Sequence, residues 1–266
     1  MLEKLLRERI AREGPIPFVD FMSMALYDPV HGYYARGPRI GPEGDFSTSV
    51  RFPAFRRAMG RMVESARATI GEPFRVVELG AGTGQLARAI LAEVHDIDYV
   101  TVDASAALRA RQSEVPGVRS VSSMAALEPA PSLVFGNEVL DALPVRRVVG
   151  GPAGLLEIAV DVDEKTGRLR DRLIPLKDSA MAERLARVGI RPQRGQVCDI
   201  APELEGFVRD AARLVDPGFL VFIDYGDPAH VLYAPHRLNG SLAAHHQSGH
   251  YHRLYEEHGN SDIAAA

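Results

Sequence analysis

Residues 76–87 read VVELGAGTGQLA. An apolar run ends in Glu78, and Gly80, Gly82 and Gly84 then lead into 85–94, which is patterned as a helix. Glycines suit that junction because the turn is tight and because a ligand can come close to a backbone without Cβ atoms. Asp103 closes the next apolar run, 99–102, about 20 residues further on, where a carboxylate can accept hydrogen bonds from ribose hydroxyls. The stretch therefore predicts a strand, a phosphate- or cofactor-sized turn, a helix and a second strand.

The alternation continues outward. Residues 104–112 read as a helix, 118–121 and 133–135 as strands, and 203–215 as a helix before a strand at 219–224. Short apolar strands separated by helices predict an α/β fold, a parallel sheet with helices on both faces. Residues 143–200 break the pattern. There 145–149, 155–162 and 168–174 read as short antiparallel strands, with EKTG at 164–167 turning between the last two. Upstream, Leu2, Leu5, Leu6 and Ile10 share a helical face that Gly14-Pro15 stops, and Phe18, Phe21, Met22, Ala25 and Leu26 mark a second helix. The segment HGYYARGPRIGPEGDFSTS at 31–49 holds too much Gly and Pro for regular structure. A longer helix follows, with Phe55, Met59, Met62, Val63, Ala66 and Ile70 on one side. The expected organisation is an N-terminal helical segment with a covering loop (1–72), a core (73–142), an antiparallel insertion for substrate or partner (143–200), the last core strand (201–226) and a polar end (227–266).

Composition narrows the function classes. The 266 residues fit one large domain, and 46% hydrophobic with 25% charged residues is ordinary for a soluble protein. Thirty-one basic against 35 acidic side chains leave a net charge of −4, which argues against a general nucleic-acid binder. No apolar run approaches the roughly 18 residues of a membrane span. The single Cys198 excludes an internal disulfide and reads as a small core residue. The opening MLEKLLRERIAREG mixes acids with bases and has no apolar signal core, which predicts a cytoplasmic protein. Seven of the nine histidines fall in 230–258 without zinc-like spacing; a solvated tail and no metal are expected.

Two cofactors use such a glycine loop. Gly82, Gly84 and Ala87 satisfy a relaxed dinucleotide fingerprint, so an NAD-linked oxidoreductase stays open, as does a ligand-free turn. Glu78 favours a different cofactor. A carboxylate at the strand tip repels a pyrophosphate but attracts the ammonium and sulfonium of S-adenosylmethionine. The acid-x-Gly-x-Gly-x-Gly pattern is similar to the first motif of Rossmann-like methyltransferases.

The stretch LVFGNEVLDALPV at 133–145 carries the second signal. A buried strand delivers Asn137 and Glu138, then Asp141, at its carboxyl end, where open parallel sheets bind ligands. A helical turn over 138–142 would place Glu138 and Asp141 on one side. A capped turn with solvated acids is an equal reading of that spacing. Asn137, Glu138 and Asp141 are the expected catalytic set.

GYY at 32–34, GDFSTS at 44–49, ELGAGTGQL at 78–86, NEVLDALPV at 137–145, DYG at 224–226 and DIAA at 262–265 occur in this order. The chain resembles the MidA-like S-adenosylmethionine-dependent methyltransferases, the family of the mitochondrial complex I assembly methyltransferase. The resemblance implies a Rossmann-like core and protein arginine methylation, with a respiratory complex I subunit as the mitochondrial member's substrate. It implies that Gly80, Gly82, Gly84 and Leu86 underlie the cofactor, with Glu78 at its amino group and Asp103 on its ribose. Gly44, Asp45 and Thr48 would close over it, and Tyr33 and Tyr34 could wall the site or simply pack. Val50-Arg51 stands where the family usually shows Pro-Glu, and the chain ends in SDIAAA where members continue. Residues 227–266 show no convincing pair of strands, so the strands that close such a sheet are expected to be missing. A catalytically silent assembly factor, which binds partners through 143–200, and a small-molecule methyltransferase are the other readings; no oligomeric state is specified.

Overall fold

The computed structural model describes residues 1–37, 48–246, 249–251, 255 and 262–265. The chain opens with α1 (Leu2–Glu13), β1 (Ile16–Pro17), α2 (Phe18–Tyr27) and α3 (Pro53–Ile70). Helix α3 has Pro53 at its first position and Gly71 past its end, the residues that tolerate a missing donor and a left-handed backbone there. Strands and helices then alternate: β2 (Arg75–Leu79), α4 (Gln85–Leu91), β3 (Asp98–Val102), α5 (Ala106–Gln112), β4 (Val118–Val121) and β5 (Ala130–Asn137). Next come β6 (Arg146–Gly151), β7 (Gly154–Val162), β8 (Leu169–Pro175), α6 (Ser179–Arg187) and β9 (Val197–Ile200). The chain continues through α7 (Leu204–Arg213), β10 (Val215–Ile223), α8 (Ala229–Leu232), β11 (Leu242–His246), β12 (Gly249–Tyr251) and β13 (Asp262–Ala265).

The core sheet runs in the order β10-β5-β2-β3-β4, and every pairing is parallel. Side chains alternate across it, so each strand feeds two cores. Val76, Leu133 and Phe135 pack with Val63 of α3 and Ile90 of α4, whereas Val77, Leu79, Val100 and Val134 pack with Ala211 and Leu214 at α7. Burial on both faces explains why these strands read as continuous apolar runs. The Rossmann-like architecture anticipated from the alternation is present. Two strands are longer than the apolar pattern suggests. β5 starts at Ala130 and β10 at Val215, because Pro131 and Asp216-Pro217-Gly218 look like turn residues yet sit in or beside the ladder, the latter at a bulge.

A second sheet, β1-β7-β6-β9 with β8 on the free side of β7, is antiparallel. Its strands come from the region that breaks the alternation, and β1 adds the N-terminal segment to them. Leu6, Phe18, Phe21 and Met22 therefore share a core with Val160.

The C-terminal expectation needs correcting. Strands do form within 227–266: β11 pairs antiparallel with β12 and β13 in a separate small sheet. They escape sequence reading because LAAHH and DIAA show no alternation of apolar and polar positions, and backbone pairing alone defines them. None of the three joins the parallel sheet. Among the described residues, no helix is long and apolar enough to cross a membrane.

One buried ion pair ties these layers together. Arg147 Nε on β6 lies 3.1 Å from Asp199 Oδ1 on β9, with side chains only 9% and 0% exposed. The guanidinium sits over the Phe18 ring at 5.2 Å, and Asp199 Oδ2 accepts the N–H groups of Ser241 and Leu242 at 2.7 and 3.1 Å. Truncating Asp199 leaves the buried guanidinium with only the half-exposed Asp171 carboxylate, 3.9 Å away, at a cost of about 3 kcal/mol. Asp199→Ala should therefore lower the free energy of unfolding by about that amount, seen as a lower denaturant midpoint, and Asp199→Asn by less; an unchanged midpoint in Asp199→Ala would show the pair to be dispensable.

Candidate cofactor and active site

A cavity of about 400 Å³ opens at the carboxyl ends of β2, β3 and β5, the edge where parallel sheets bind ligands. Glu78, Gly80 and Gly82 enter it from the β2–α4 turn, Asp103 from the end of β3, and Asn137 and Glu138 from the end of β5. Leu86 and Thr48 also line it. The turn needs its glycines. Gly80, Gly82 and Gly84 all have left-handed backbones, with φ of 68°, 54° and 75°. A Cβ on Gly80 would stand 2.7 Å from Val139 Cγ2. Gly84 does not line the cavity; it caps α4 and lets Val115 approach.

Glu78 is 3% exposed, and its Oε2 accepts the Tyr99 hydroxyl at 2.7 Å. Burial pushes its carboxyl up to about 7, against the Tyr99 hydrogen bond, and the nearby Asp103 charge adds to the rise. Asp103 accepts the Ser105 N–H at 2.9 Å and the Gln112 side-chain amide at 3.0 Å. Burial raises its carboxyl as well. The same Gln112 amide donates to the Gly82 carbonyl at 2.9 Å and so locks the turn to β3. Among the described residues neither carboxylate forms a salt bridge. Arg109 is the nearby cation, but it donates to the Asp103 backbone carbonyl at 2.8 Å. Two acids without a salt bridge beside a glycine turn fit a ligand bearing positive charge and hydroxyls, which S-adenosylmethionine is. They disfavour the pyrophosphate of a dinucleotide.

Beyond β5 the chain does not form the helical turn expected over 138–142. Glu138 takes a left-handed backbone, φ 50°, rare for a residue with a Cβ and a conformation that clusters at functional sites. The Ser49 backbone N–H and hydroxyl lie 2.9 and 2.7 Å from Glu138 Oε1, and the same hydroxyl lies 3.1 Å from Asn137 Oδ1. Glu138 and Asp141 consequently part company. Asp141 lines a neighbouring cavity instead, where its Oδ2 accepts the Tyr225 hydroxyl. Burial pushes the Asp141 carboxyl up to about 6, opposed by the Tyr225 hydrogen bond and assisted by the charges of Asp224 and Glu138.

The aromatic pair divides in the same way. Tyr34 lines the cofactor cavity and donates its hydroxyl to Asp262 of β13 at 2.9 Å, while Tyr33 is buried in the N-terminal core. Gly44 and Asp45 lie outside the described residues. Sequence reading missed Ser49, Tyr27, Gln112, Tyr99 and Tyr225. Ser49 and Tyr225 sit inside the quoted GDFSTS and DYG segments, so a signal existed; Tyr27, Tyr99 and Gln112 are brought in by the fold alone. Gly80→Ala should displace Val139 and the Glu138 turn and cost about 1 kcal/mol or more, since both the backbone and the space oppose a Cβ. Thermal unfolding and a titration with S-adenosylhomocysteine would read this, and wild-type values for both would refute it.

Comparison with known proteins agrees with this geometry. A family model described as "Putative S-adenosyl-L-methionine-dependent methyltransferase" matches residues 57–266. A Burkholderia thailandensis protein crystallised with S-adenosyl-homocysteine is 35% identical, with a TM-score of 0.89 over 99% of this chain and 72% of that one. The mitochondrial protein arginine methyltransferase NDUFAF7 of Mus musculus is 28% identical over 80% of this chain and 59% of its own length. Its Drosophila melanogaster homolog is 30% identical over 62% of this chain and 46% of its own length. The chain spans about half the length of these two mitochondrial relatives. With a Rossmann-like sheet, a glycine turn and paired acids at the strand tips, the chain belongs to the S-adenosyl-L-methionine-dependent methyltransferase family.

Proposed function

We propose that the chain binds S-adenosylmethionine in the strand-tip cavity and methylates an arginine of a protein. The observation that carries this is Glu138, a carboxylate whose Oε1 is fixed at the cavity edge by two donors from Ser49 while its second oxygen accepts no hydrogen bond among the described residues. Bound S-adenosylmethionine supplies an electrophilic methyl on a sulfonium with a good leaving group. The protein's share of the work is then alignment and exclusion of water.

Glu78 holds the ammonium end of the cofactor and Asp103 the ribose, while Gly80 and Gly82 let the backbone approach and Leu86 gives an apolar floor. A guanidinium is a weak nucleophile, since its lone pairs are delocalised and its pKa exceeds about 12. Glu138 offers its free oxygen to the N–H groups of that guanidinium and concentrates positive charge on them, which leaves the remaining nitrogen richer in electrons. Asn137, beside it, positions the acceptor. Tyr27 and Tyr34, with ring centroids 5.4 Å apart, close the wall against water. The mouse and fly relatives are protein arginine methyltransferases, which supports this acceptor over a small molecule.

Glu138→Gln should keep the affinity for S-adenosylmethionine and lower methyl incorporation into lysate proteins by roughly 100-fold. Undiminished turnover would remove Glu138 from the mechanism. Cofactor binding without incorporation by the wild type would favour the silent assembly factor.

Glu78 sets a pH dependence. Its raised carboxyl is largely neutral below about 7 in the free protein, so its contribution favours the ligand-free fold at low pH and is lost as pH rises through about 7. A cationic ligand needs the ionised form. Affinity for S-adenosylmethionine should therefore climb between pH 5.5 and 7 by up to roughly tenfold per unit, with proton release in calorimetry. Glu78→Gln should flatten that slope; a flat wild-type profile would show that Glu78 does not meet the ammonium.

A further inference from the structure

We propose that a second cavity, of about 520 Å³, seats a lysine or arginine side chain of the acceptor polypeptide close to the arginine being methylated. The inference rests on the methyl-transfer reading above and extends it to a second point of contact. The segment after β5 is the partition between the two cavities. Glu138, Val139 and Ala142 line the cofactor side, whereas Leu140, Asp141 and Val145 line the second.

The second cavity is a mainly apolar groove between the insertion and α7. Leu185, Val188, Ile200, Leu204 and Leu232 contribute its walls. Val188, Leu204 and Tyr225 remain 55%, 38% and 51% exposed, so the groove has apolar surface that the fold itself does not cover. Its charges are unbalanced. Arg184 and Arg187, on the α6 side, share the single carboxylate of Glu205, at 3.3 and 3.1 Å, which leaves one positive charge at that end, and Asp199 is taken by Arg147. Asp141 and Asp224 remain. They accept the Tyr225 hydroxyl, the Tyr225 N–H at 3.0 Å and the Leu140 N–H at 2.9 Å, but among the described residues they have no cation.

An apolar groove with two uncompensated carboxylates at its strand-tip side matches a long basic side chain. The methylene stem lies along the apolar walls and the charged head meets the acids. An acidic or neutral occupant would leave the Asp141 carboxylate desolvated without a cation. The upward push on Asp141 by burial shows that this desolvation is already partly in place. Geometry sets the spacing. Three residues separate Glu138 from Asp141, a reach of about 10 Å at most. In an extended peptide, side chains two positions apart project to the same side about 7 Å from each other. The groove therefore selects acceptors with a second basic residue two positions from the target arginine.

The test uses the full chain loaded with S-adenosylhomocysteine and fluorescein-labelled hexapeptides read by anisotropy. One peptide carries a single arginine among glycines, the other a second arginine two positions on. The two-arginine peptide should bind wild type about tenfold more tightly. Asp141→Asn and Asp224→Asn should each reduce that advantage to about twofold or less, with calorimetric affinity for S-adenosylhomocysteine unchanged as proof of folding; Asn keeps the side-chain oxygen that receives the Leu140 N–H. Equal binding of the two peptides by wild type, or an advantage that survives in both variants, overturns the proposal. Discrimination between the peptides by a chain that binds no S-adenosylhomocysteine would uphold the groove and overturn the methyl-transfer reading instead.

Discussion

Glu78 and Asp103 are two like charges held in a mainly apolar cavity without a salt bridge among the described residues, Arg109 meeting only the Asp103 backbone carbonyl, and the site is built around keeping them there. Each acid is oriented by a neighbouring side chain: Tyr99 from β3 for Glu78, and Gln112 from the end of α5 for Asp103. Gln112 is wholly buried and uses both ends of its amide, donating to Asp103 and Gly82 and accepting the hydroxyls of Thr101 and Ser120. A buried polar group of this kind is stable only when fully satisfied. The unmet charge is thus concentrated on the two carboxylates, which is what a cationic cofactor would neutralise.

The second organising element is the NEVLDALPV segment. Val139 packs so close to Gly80 and Gly136 that a Cβ at either position would fall within 2.7 Å of its side chain. The glycine turn and the turn after β5 are therefore one packed unit, and Glu138, with its left-handed backbone, is part of it. Distant parts of the chain are drawn onto it. Ser49 fixes the Glu138 carboxylate, Tyr27 donates to the Ala142 carbonyl, and Ala265 of β13 donates to the Asp141 carbonyl. Tyr34 reaches from the N-terminal segment to Asp262 and accepts Ser105 at the start of α5. The N-terminal segment and the C-terminal strand thus act as walls of the site rather than appendages.

Much of this was legible in the residue order. The βα alternation, the glycine turn and the acids at the ends of β2 and β3 are local features, since short apolar runs and tight-turn chemistry leave their mark within a few residues. The antiparallel insertion was visible for the same reason. Asp141 was read with Glu138 because spacing of three suggests a shared helical face; with a left-handed backbone at Glu138 and Val139 packed against Gly80 and Gly136, the two acids line different cavities. Strands β11 and β13 were missed because their pairing is long-range and their side chains carry no alternation.

By itself the sequence determined the class of fold and the chemistry of the cofactor end. Strand tips, glycines and a carboxylate facing a turn are written in neighbouring residues, and steric and charge rules act on them at short range. Only the tertiary structure decided how the acceptor side is arranged: which of two acids meets the cofactor cavity, that Ser49 anchors Glu138 across 89 positions of chain, and that a second groove lies behind the partition. Those outcomes depend on which surfaces remain after the cores have packed, and packing is a property of contacts between residues far apart in sequence.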